Sequence, residues 1–177
     1  FNYGSPSLDY IKKIKKISKK AISEKLKINF NKFNILITFH PETKILNKTK
    51  KNLNTLLNSL KILGTDYNLF FTGANVDSLG KSFNKKIITF VKKNKNFYFF
   101  SNLGTIKYIQ LSQNCDLVIG NSSSIIYEIP FIGIRSILIG SRQEGRFMPN
   151  NIIKVKPVKN LIVKEITKNI ARKNPKR

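Results

Sequence analysis

The fold of this chain is decided by Leu117-Val118-Ile119-Gly120-Asn121-Ser122-Ser123-Ser124-Ile125-Ile126-Tyr127-Glu128. The apolar run at residues 115–119, which leads into this stretch, predicts a buried strand, and the Gly-Asn pair that follows predicts a tight turn. Three serines and an apolar-periodic run with an acid then predict the N-terminus of a helix. The stretch therefore predicts a strand, a turn and a helix in immediate succession.

The turn in this stretch has the features of a phosphate site. Backbone N–H groups at a helix N-terminus have no helical partners and lie at the positive end of the helix dipole. Hydroxyl groups from Ser122 and Ser123 add donors beside them, and such a turn suits a phosphate. Glu128 follows Ser124 by about one helical turn, where its carboxylate can accept hydrogen bonds from sugar hydroxyls. We predict that this turn, including Asn121, holds a nucleotide diphosphate.

The composition limits the class of protein. A chain of 177 residues fits one domain with a proper core. The single cysteine, Cys115, excludes an intrachain disulfide and a Cys-based zinc site, and the single histidine makes any metal site improbable. We see no secretory signal and no run near the roughly 18 apolar residues of a membrane span. The chain is therefore predicted to be cytoplasmic, without a membrane span, metal or other cofactor.

The charge is strongly positive, at +24 with a pI near 10.3. Such a pI is the first indication of a nucleic-acid binder. However, lysines occur in every segment, arginines are few, and no recognition-helix or zinc-finger pattern occurs. We favour a solvated basic surface without a specific nucleic-acid site, and expect it to attract an anionic substrate.

Taken in order, the chain predicts a lead-in loop and basic helix (residues 1–30), one main domain (31–172) and a disordered basic tail (173–177). In residues 8–26, isoleucines and leucines recur at helical intervals, with lysines on the other face. Such a helix could lie on an anionic membrane, but we favour docking on its own domain, because the apolar stripe is narrow. The remaining predicted strands are 34–39, 67–72, 97–100, 136–139 and 152–155, and the predicted helices are 48–63, 82–93, 104–112 and 159–171.

Alternating short apolar strands and helices predict an α/β fold, with a parallel sheet covered on both faces in a Rossmann-like three-layer αβα arrangement. Ligands bind at the carboxyl ends of strands in such sheets. The loops that begin at His40, Gly120 and Gly140 all follow predicted strands. We therefore expect these three loops to meet on one side of the domain.

Two of these loops carry further candidate residues. His40 leaves a buried strand into a Pro-containing loop, where it can hydrogen-bond a phosphate or pass a proton; simple packing on Pro41 is an equally good interpretation. Arg142 and Arg146, in a chain that prefers lysine, suit bidentate phosphate contacts, and Gln143 lies between them. Neither a Walker loop nor Gly-x-Gly-x-x-Gly occurs, and no close pair of carboxylates is visible in a strand-end loop.

The loop motifs together resemble the UDP-N-acetylglucosamine 2-epimerases, and the hydrolysing branch more closely. The matching stretches are Phe39-His40-Pro41-Glu42-Thr43, the turn Gly120-Asn121-Ser122-Ser123-Ser124 with Glu128, and Gly140-Ser141-Arg142-Gln143-Glu144-Gly145-Arg146 with Asn151. Asn75 and Asp77, and the opening Gly4-Ser5-Pro6-Ser7-Leu8-Asp9, also match. The chain departs from the usual pattern at Ile125, where glycine is common, and at Arg135, where proline is common. A β-branched Ile125 is expected to resist a positive φ and to narrow the pocket.

The resemblance implies a fold and a reaction. The family has two Rossmann-like domains in the GT-B arrangement, and this chain matches the second. We therefore expect an N-terminal Rossmann-like domain as the missing partner. A homo-oligomer is a further expected form of assembly. His40 would contact the diphosphate or sugar and assist catalysis; Ser122 and Ser123 would bind phosphate, Glu128 the ribose and Arg142 the UDP end. The reaction eliminates UDP and adds water, giving an N-acetylmannosamine-type sugar for sialic-acid-like products. Since Phe1 is not Met and the acids and base lie mainly in the first domain, we expect an inactive fragment.

Two other functions stay open from the sequence. The nearest is a glycosyltransferase-like GT-B half, which transfers a sugar instead of epimerising it. The other is a non-catalytic basic module that binds nucleic acid or a membrane surface. Salt dependence distinguishes this last class from a UDP-binding domain. Affinity for nucleic acid falls steeply as the salt concentration rises, whereas the affinity of a formed pocket for UDP should change much less.

Overall fold

The structure, a computed structural model, describes residues 6–42, 46–74, 78–149 and 152–170. The motif residues Gly4, Ser5, Thr43, Asn75, Asp77 and Asn151 and the basic tail lie outside the described residues. The strands are β1 Phe33–Thr38, β2 Tyr67–Thr72, β3 Phe97–Phe100, β4 Leu117–Gly120, β5 Ser136–Ile139 and β6 Ile153–Val155. The α-helices are α1 Pro6–Lys12, α2 Lys19–Leu26, α3 Leu46–Leu60, α4 Ser78–Val91, α5 Gly104–Ser112, α6 Glu128–Phe131 and α7 Lys159–Ile170, and a 3₁₀ turn spans Ser123–Ile125.

The strands in the described ranges form one parallel sheet in the order β3-β2-β1-β4-β5-β6. From β1 the chain adds β2 and β3 on one side, and then β4 to β6 on the other. The carboxyl ends of β1 and β4 therefore lie where the strand order reverses, which is where open α/β sheets bind ligands. The predicted Rossmann-like α/β fold is confirmed.

Two apolar layers cover the two faces of the sheet. Ile35 and Ile37 of β1 belong to the layer beneath α3, α4 and α7, whereas Leu36 belongs to the layer beneath α1, α2, α5 and α6. Apolar residues therefore occupy both faces of the strand, as expected for parallel strands buried on both sides. This explains why the strands appear in the sequence as continuous apolar runs.

The prediction of a single helix over residues 8–26 is wrong. The structure has two helices in this region, α1 and α2, joined by a non-helical link at residues 13–18. Ser18 starts the second helix as its N-cap, accepting a hydrogen bond from the Ala21 N–H at 3.1 Å. A serine in extended conformation at this position begins a new helix and cannot continue an old one. The prediction that the isoleucine stripe docks on the domain is confirmed, because Ile11 and Ile22 are buried in the second apolar layer.

The helix expected after the serines is also different. A 3₁₀ turn occupies Ser123–Ile125, and the short helix α6 begins only at Glu128. Proline is tolerated in the first turn of a helix, where its missing N–H is not needed, but it disrupts a helix interior. Pro130 therefore fits a helix that begins at Glu128 and excludes one that runs on from the serines.

Candidate functional site

Gly120 places the central turn directly against β1. Its φ is +144°, and a Cβ at this position would stand 1.9 Å from the Thr38 carbonyl oxygen. No residue with a side chain fits there without moving one of the two strands. The next N–H, from Asn121, donates to the same Thr38 carbonyl at 3.1 Å. The end of β4 is thus fixed on the end of β1.

Asn121 links this turn to the histidine loop through its side chain. Its Oδ1 accepts from the His40 N–H at 2.7 Å, and its Nδ2 donates to the His40 carbonyl at 2.8 Å. The residue is 0% exposed. Asn121 therefore holds the backbone of His40, and its side chain is not available for the UDP contact that the sequence suggests.

The third loop is held by the main chain of the same residue. The Asn121 carbonyl accepts from Arg142 Nη1 at 3.2 Å and from Gln143 Nε2 at 2.8 Å. Gln143 is 1% exposed and does not line the pocket, and its bond to Asn121 positions the loop. The three loops converge as expected, and Asn121 is their common centre.

Arg142 is the cationic group of this cluster. It is half-buried, and burial followed by the positive charge of Arg146 lowers the pKa of its guanidinium, while Glu42 raises it. An arginine stays charged under such shifts. Glu42, in the histidine loop, has a pKa raised first by burial, against the lowering effect of Lys48 and Arg142. The cluster thus keeps a fixed positive charge beside the serine turn.

A pocket of about 440 Å³ opens beside the cluster at the carboxyl ends of β1 and β2. It is lined by Thr38, Thr72, Gly73, Ala74, Ser101, Asn102, Leu103, Gly104, Thr105, Tyr108, Ile109, Ser122, Ser124 and Glu128. Of the predicted ligand residues, Ser122 and Glu128 line it. The other predicted ligand residues are not part of the lining: His40, Asn121, Ser123, Arg142, Gln143 and Arg146. Arg146 is exposed near the end of its loop.

Glu128 is the most unusual group of this pocket. Its Oε2 is buried and has no hydrogen-bond partner in the described part of the chain. A buried polar atom without a partner costs about 1–3 kcal/mol, and more when charged. A donor supplied by a ligand, such as a sugar hydroxyl, would remove that cost.

Hydroxyl groups line the pocket next to Glu128. Tyr108 OH and Ser124 Oγ are 2.8 Å apart, and Thr38 Oγ1 and Thr72 Oγ1 are 2.7 Å apart. Burial raises the pKa of Tyr108, so its phenol stays neutral and keeps its proton for hydrogen bonding. The pocket therefore offers neutral donors and acceptors around one carboxylate.

The serine turn presents backbone N–H groups, as expected. Ser122 Oγ accepts from the Ser124 N–H at 3.3 Å, which caps the 3₁₀ turn. The N–H groups of Ile125 and Ile126 are used within the turn, whereas those of Ser122 and Ser123 bond no described residue. These two N–H groups are the donors available to a phosphate.

Ile125 does not narrow the pocket, so that expectation is wrong. Its side chain is fully buried in the second apolar layer, and in the described ranges only Lys27 among non-glycine residues has a positive φ. The turn is a 3₁₀ helix with ordinary backbone angles, and such a turn does not need glycine. Arg135 lies just before β5, away from the pocket lining.

The sequence predictions missed several pocket residues. Thr38 and Thr72 end neighbouring parallel strands in register, and a polar residue closing each apolar run was a visible signal. Leu103, Thr105 and Tyr108 carry no motif and enter the pocket only because β3 lies beside β2. No group of three His, Cys, Asp or Glu that could hold a metal ion occurs among the described residues, nor does any helix there that is long and apolar enough to cross a membrane.

Solved structures show the same fold. A UDP-N-acetylglucosamine 2-epimerase from Neisseria meningitidis, bound to UDP-GlcNAc, superposes with a TM-score of 0.62 at 17% identity, covering 85% of this chain and 39% of that one. The C-terminal domain of a group 1 glycosyltransferase (LpcC) from Francisella tularensis gives 0.60 at 14% identity, covering 92% and 87%. The chain thus has the fold of the second half of a GT-B arrangement.

Sequence comparison gives the family. The GDP/UDP-N,N'-diacetylbacillosamine 2-epimerase (hydrolyzing) of Campylobacter jejuni is 39% identical over 154 residues, which are 86% of this chain and 40% of that protein. The chain thus spans about two fifths of the length of this relative. The family model for UDP-N-acetylglucosamine 2-epimerase matches residues 1–177. The chain belongs to the UDP-N-acetylglucosamine 2-epimerase family.

Proposed function

We propose that this chain is the UDP-sugar-binding half of a hydrolysing 2-epimerase that acts on a UDP-N-acetylglucosamine-type sugar. The observation that carries the proposal is the buried, unpartnered oxygen of Glu128 in a pocket beside the serine turn. A pocket of about 440 Å³ falls in the ordinary range of small-molecule sites. The Campylobacter jejuni relative is named for a hydrolysing 2-epimerase reaction, which agrees with this proposal.

The geometry suggests how UDP would lie. Ribose hydroxyls would donate to Glu128, and the diphosphate would accept from the N–H groups of Ser122 and Ser123. Arg142 would add a charged contact at the phosphate end, because a guanidinium suits phosphate oxygens. The uracil would occupy the lobe formed by Leu103 and its neighbours at the start of α5.

The same groups would assist the reaction. In the elimination, a base takes the proton from the sugar C2, a C1=C2 double bond forms, and the bond between C1 and the diphosphate oxygen breaks, so that the leaving UDP keeps that electron pair. The base would come from the N-terminal domain. The Arg142 cation and the turn N–H groups would stabilise the charge that develops on the leaving diphosphate. His40 would contact the diphosphate or the sugar, and water would then add to the 2-acetamidoglucal to give the 2-epimer.

The rest of the catalytic apparatus would come from an N-terminal domain. No close pair of carboxylates occurs in the described pocket, which Glu128 alone supplies with an acid. We therefore expect this chain to bind UDP and to show little or no turnover by itself. The product would enter a sialic-acid-like biosynthetic route in the cytoplasm.

Calorimetry with UDP tests the site. Arg142→Ala should weaken UDP by at least ~10-fold, the value of one charge-assisted hydrogen bond, and should weaken uridine little. Lys61→Ala, which removes a positive charge from the exposed surface after α3, is the matched control and should change neither. Unchanged UDP affinity in a chain that carries both Glu128→Ala and Arg142→Ala would refute the site.

A glycosyltransferase half is the second candidate, favoured by the fold it shares with the Francisella tularensis domain. The two candidates differ in the fate of the sugar. The chain joined to its N-terminal domain and given UDP-N-acetylglucosamine should release UDP and the free 2-epimer. Transfer to an acceptor, with retention of the C2 configuration, would identify a transferase.

A further inference from the structure

A dense group of lysines lies on the link between α1 and α2. Lys12, Lys13, Lys15 and Lys16, here called the lysine patch, fill four of the five positions from 12 to 16, and all four are exposed. The whole chain has 33 lysines and arginines in 177 residues, so the patch is several times denser than the general basic character of the chain. Lys19 and Lys20 continue it onto α2.

The domain holds the patch as a fixed surface. Gln110 Nε2 donates to the Lys15 carbonyl at 3.2 Å, and Asn114 Nδ2 donates to the Ile17 carbonyl at 3.1 Å. Ile11, just before the patch, is buried in the second apolar layer. Two backbone carbonyls of this segment are therefore bonded to side chains of α5 and the turn after it, and the exposed lysines are held on the surface without further ordering of the chain.

No carboxylate neutralises these charges at close range. Among the described residues, the ion pair within 4.0 Å joins Lys32 and Asp66, away from the patch. Asp9 and Glu24, on the flanking helices, are exposed, and neither forms an ion pair within 4.0 Å with a patch lysine. The patch thus presents four unpaired cations on one rigid surface.

We propose that the lysine patch binds an anionic membrane surface, an interaction separate from UDP binding. Lysine gives a compact, strongly hydrated point charge, whereas the planar guanidinium of arginine is the group that binds individual phosphates bidentately. Tyr10 of α1, which is 50% exposed, lies two residues before the patch in the sequence. Tyrosine is enriched at membrane interfaces, whereas single-stranded nucleic acid is bound on a series of aromatic rings, which the patch lacks.

Vesicle sedimentation with a matched control tests this proposal. The probes are vesicles of phosphatidylcholine with about a quarter phosphatidylserine, and vesicles of phosphatidylcholine alone, at low salt. The patch variant carries Gln at positions 12, 13, 15 and 16, and the control carries Gln for the exposed Lys85, Lys86, Lys92 and Lys93 of α4 and its end. Both variants lose the same charge. Each lysine near an anionic surface strengthens binding about fivefold, so loss of all four would weaken it by up to ~600-fold. We expect the patch variant to bind at least ~30-fold more weakly, the loss from two of the lysines, and the control to bind within about threefold of the parent.

The outcomes separate the alternatives. Binding of the parent chain to the anionic vesicles, its loss in the patch variant, and equal UDP affinity in all three proteins would support the proposal. Equal loss in both variants would overturn it in favour of net charge. Absence of binding to anionic vesicles, or equal binding to phosphatidylcholine alone, would also overturn it, as would patch-dependent binding of single-stranded DNA without vesicle binding. Circular dichroism and thermal unfolding establish that each variant is folded.

Discussion

Replacement of Asn121 by alanine should loosen all three loops of the site at once. The change removes the two hydrogen bonds that the Asn121 side chain makes with the His40 N–H, at 2.7 Å, and with the His40 carbonyl, at 2.8 Å. Loss of one partner from a buried hydrogen bond costs about 1–3 kcal/mol, so removal of both bonds should lower the free energy of unfolding by ~2–6 kcal/mol. Urea denaturation measures this loss.

The same change should weaken UDP binding, although Asn121 has no free side-chain atom for the ligand. Arg142 bonds the Asn121 carbonyl, and Ser122 is the next residue, so the shift should reach both of the proposed phosphate contacts. We expect calorimetry to show UDP weaker by ~10–100-fold, equivalent to one charge-assisted hydrogen bond. Wild-type affinity in a destabilised Asn121→Ala protein would refute the role of this residue as the centre of the site.

Asn114 supplies the matched control for this prediction. Its Nδ2 donates to the carbonyls of Ile17 at 3.1 Å and of Gln110 at 2.9 Å, and the residue is buried but does not line the pocket. Asn114→Ala should lower the free energy of unfolding and leave UDP affinity unchanged. A fall in UDP affinity for both variants would show that general loss of stability, and not the link to His40, weakens the site.

Asn121→Asp gives a test with a pH signature. One carboxyl oxygen can still accept from the His40 N–H, but only the protonated form can donate to the His40 carbonyl. Burial and this hydrogen bond raise the pKa of the new carboxyl in the folded state above its unfolded value. An acid with a raised folded pKa stabilises the fold below the unfolded pKa, and that stabilisation is lost as the pH rises through the folded pKa. The variant should therefore approach wild-type stability at acid pH, and a pH-independent difference would contradict this reasoning.

Three further predictions concern the pocket. Gly120→Ala should cost at least ~2 kcal/mol in unfolding experiments and abolish detectable UDP binding, because its Cβ would stand 1.9 Å from the Thr38 oxygen. Glu128→Gln should be at least as stable as the wild type on thermal unfolding, since a buried carboxylate oxygen without a partner is removed. The same variant should bind UDP ~10-fold more weakly in calorimetry, and it should no longer distinguish UDP from an analogue without ribose hydroxyls. In the wild type, burial raises the pKa of the Tyr108 phenol, so above pH 10.0 the unfolded chain loses this proton first and the folded state becomes less stable. Tyr108→Phe has no phenol to titrate, and its free energy of unfolding should therefore fall less steeply above pH 10.0. Identical alkaline denaturation curves for the two proteins would argue against this.

Much of the sheet was predictable from the sequence, because each strand is buried on both faces and therefore apolar throughout. The bounds of β2, β3 and β5 agree with the predicted ones, and those of β1, β4 and β6 differ by one or two residues. The helices were harder where a single residue decides the geometry. Pro130 is compatible only with a helix that begins shortly before it, and α6 accordingly begins at Glu128. Ser18 caps the second of the two helices that replace the predicted basic helix.

The candidate site was predicted as three loops, but not as a set of roles. Ser122 and Glu128 lie in the pocket, whereas Asn121 and Gln143 turn out to hold the loops together. Spacing along the chain does not reveal whether an amide points toward a ligand or toward a neighbouring backbone, because that depends on contacts 81 residues apart in sequence. Tyr108 enters the pocket through the packing of α5, for which the sequence has no local signal.

The side chain of Asn121 bonds main-chain atoms of His40, so its hold on this loop does not depend on which side chain stands at position 40. The residues that hold the loops can therefore stay the same during evolution while the residues that would contact a ligand change. His40 is held by its N–H and C=O groups, and the arginine loop is held through the Asn121 carbonyl. A mutation that changes the side chain at position 40 leaves this support in place. Such a frame can exchange the groups that read the substrate one at a time, so new sugar specificities could arise here, or be engineered here, without a new fold.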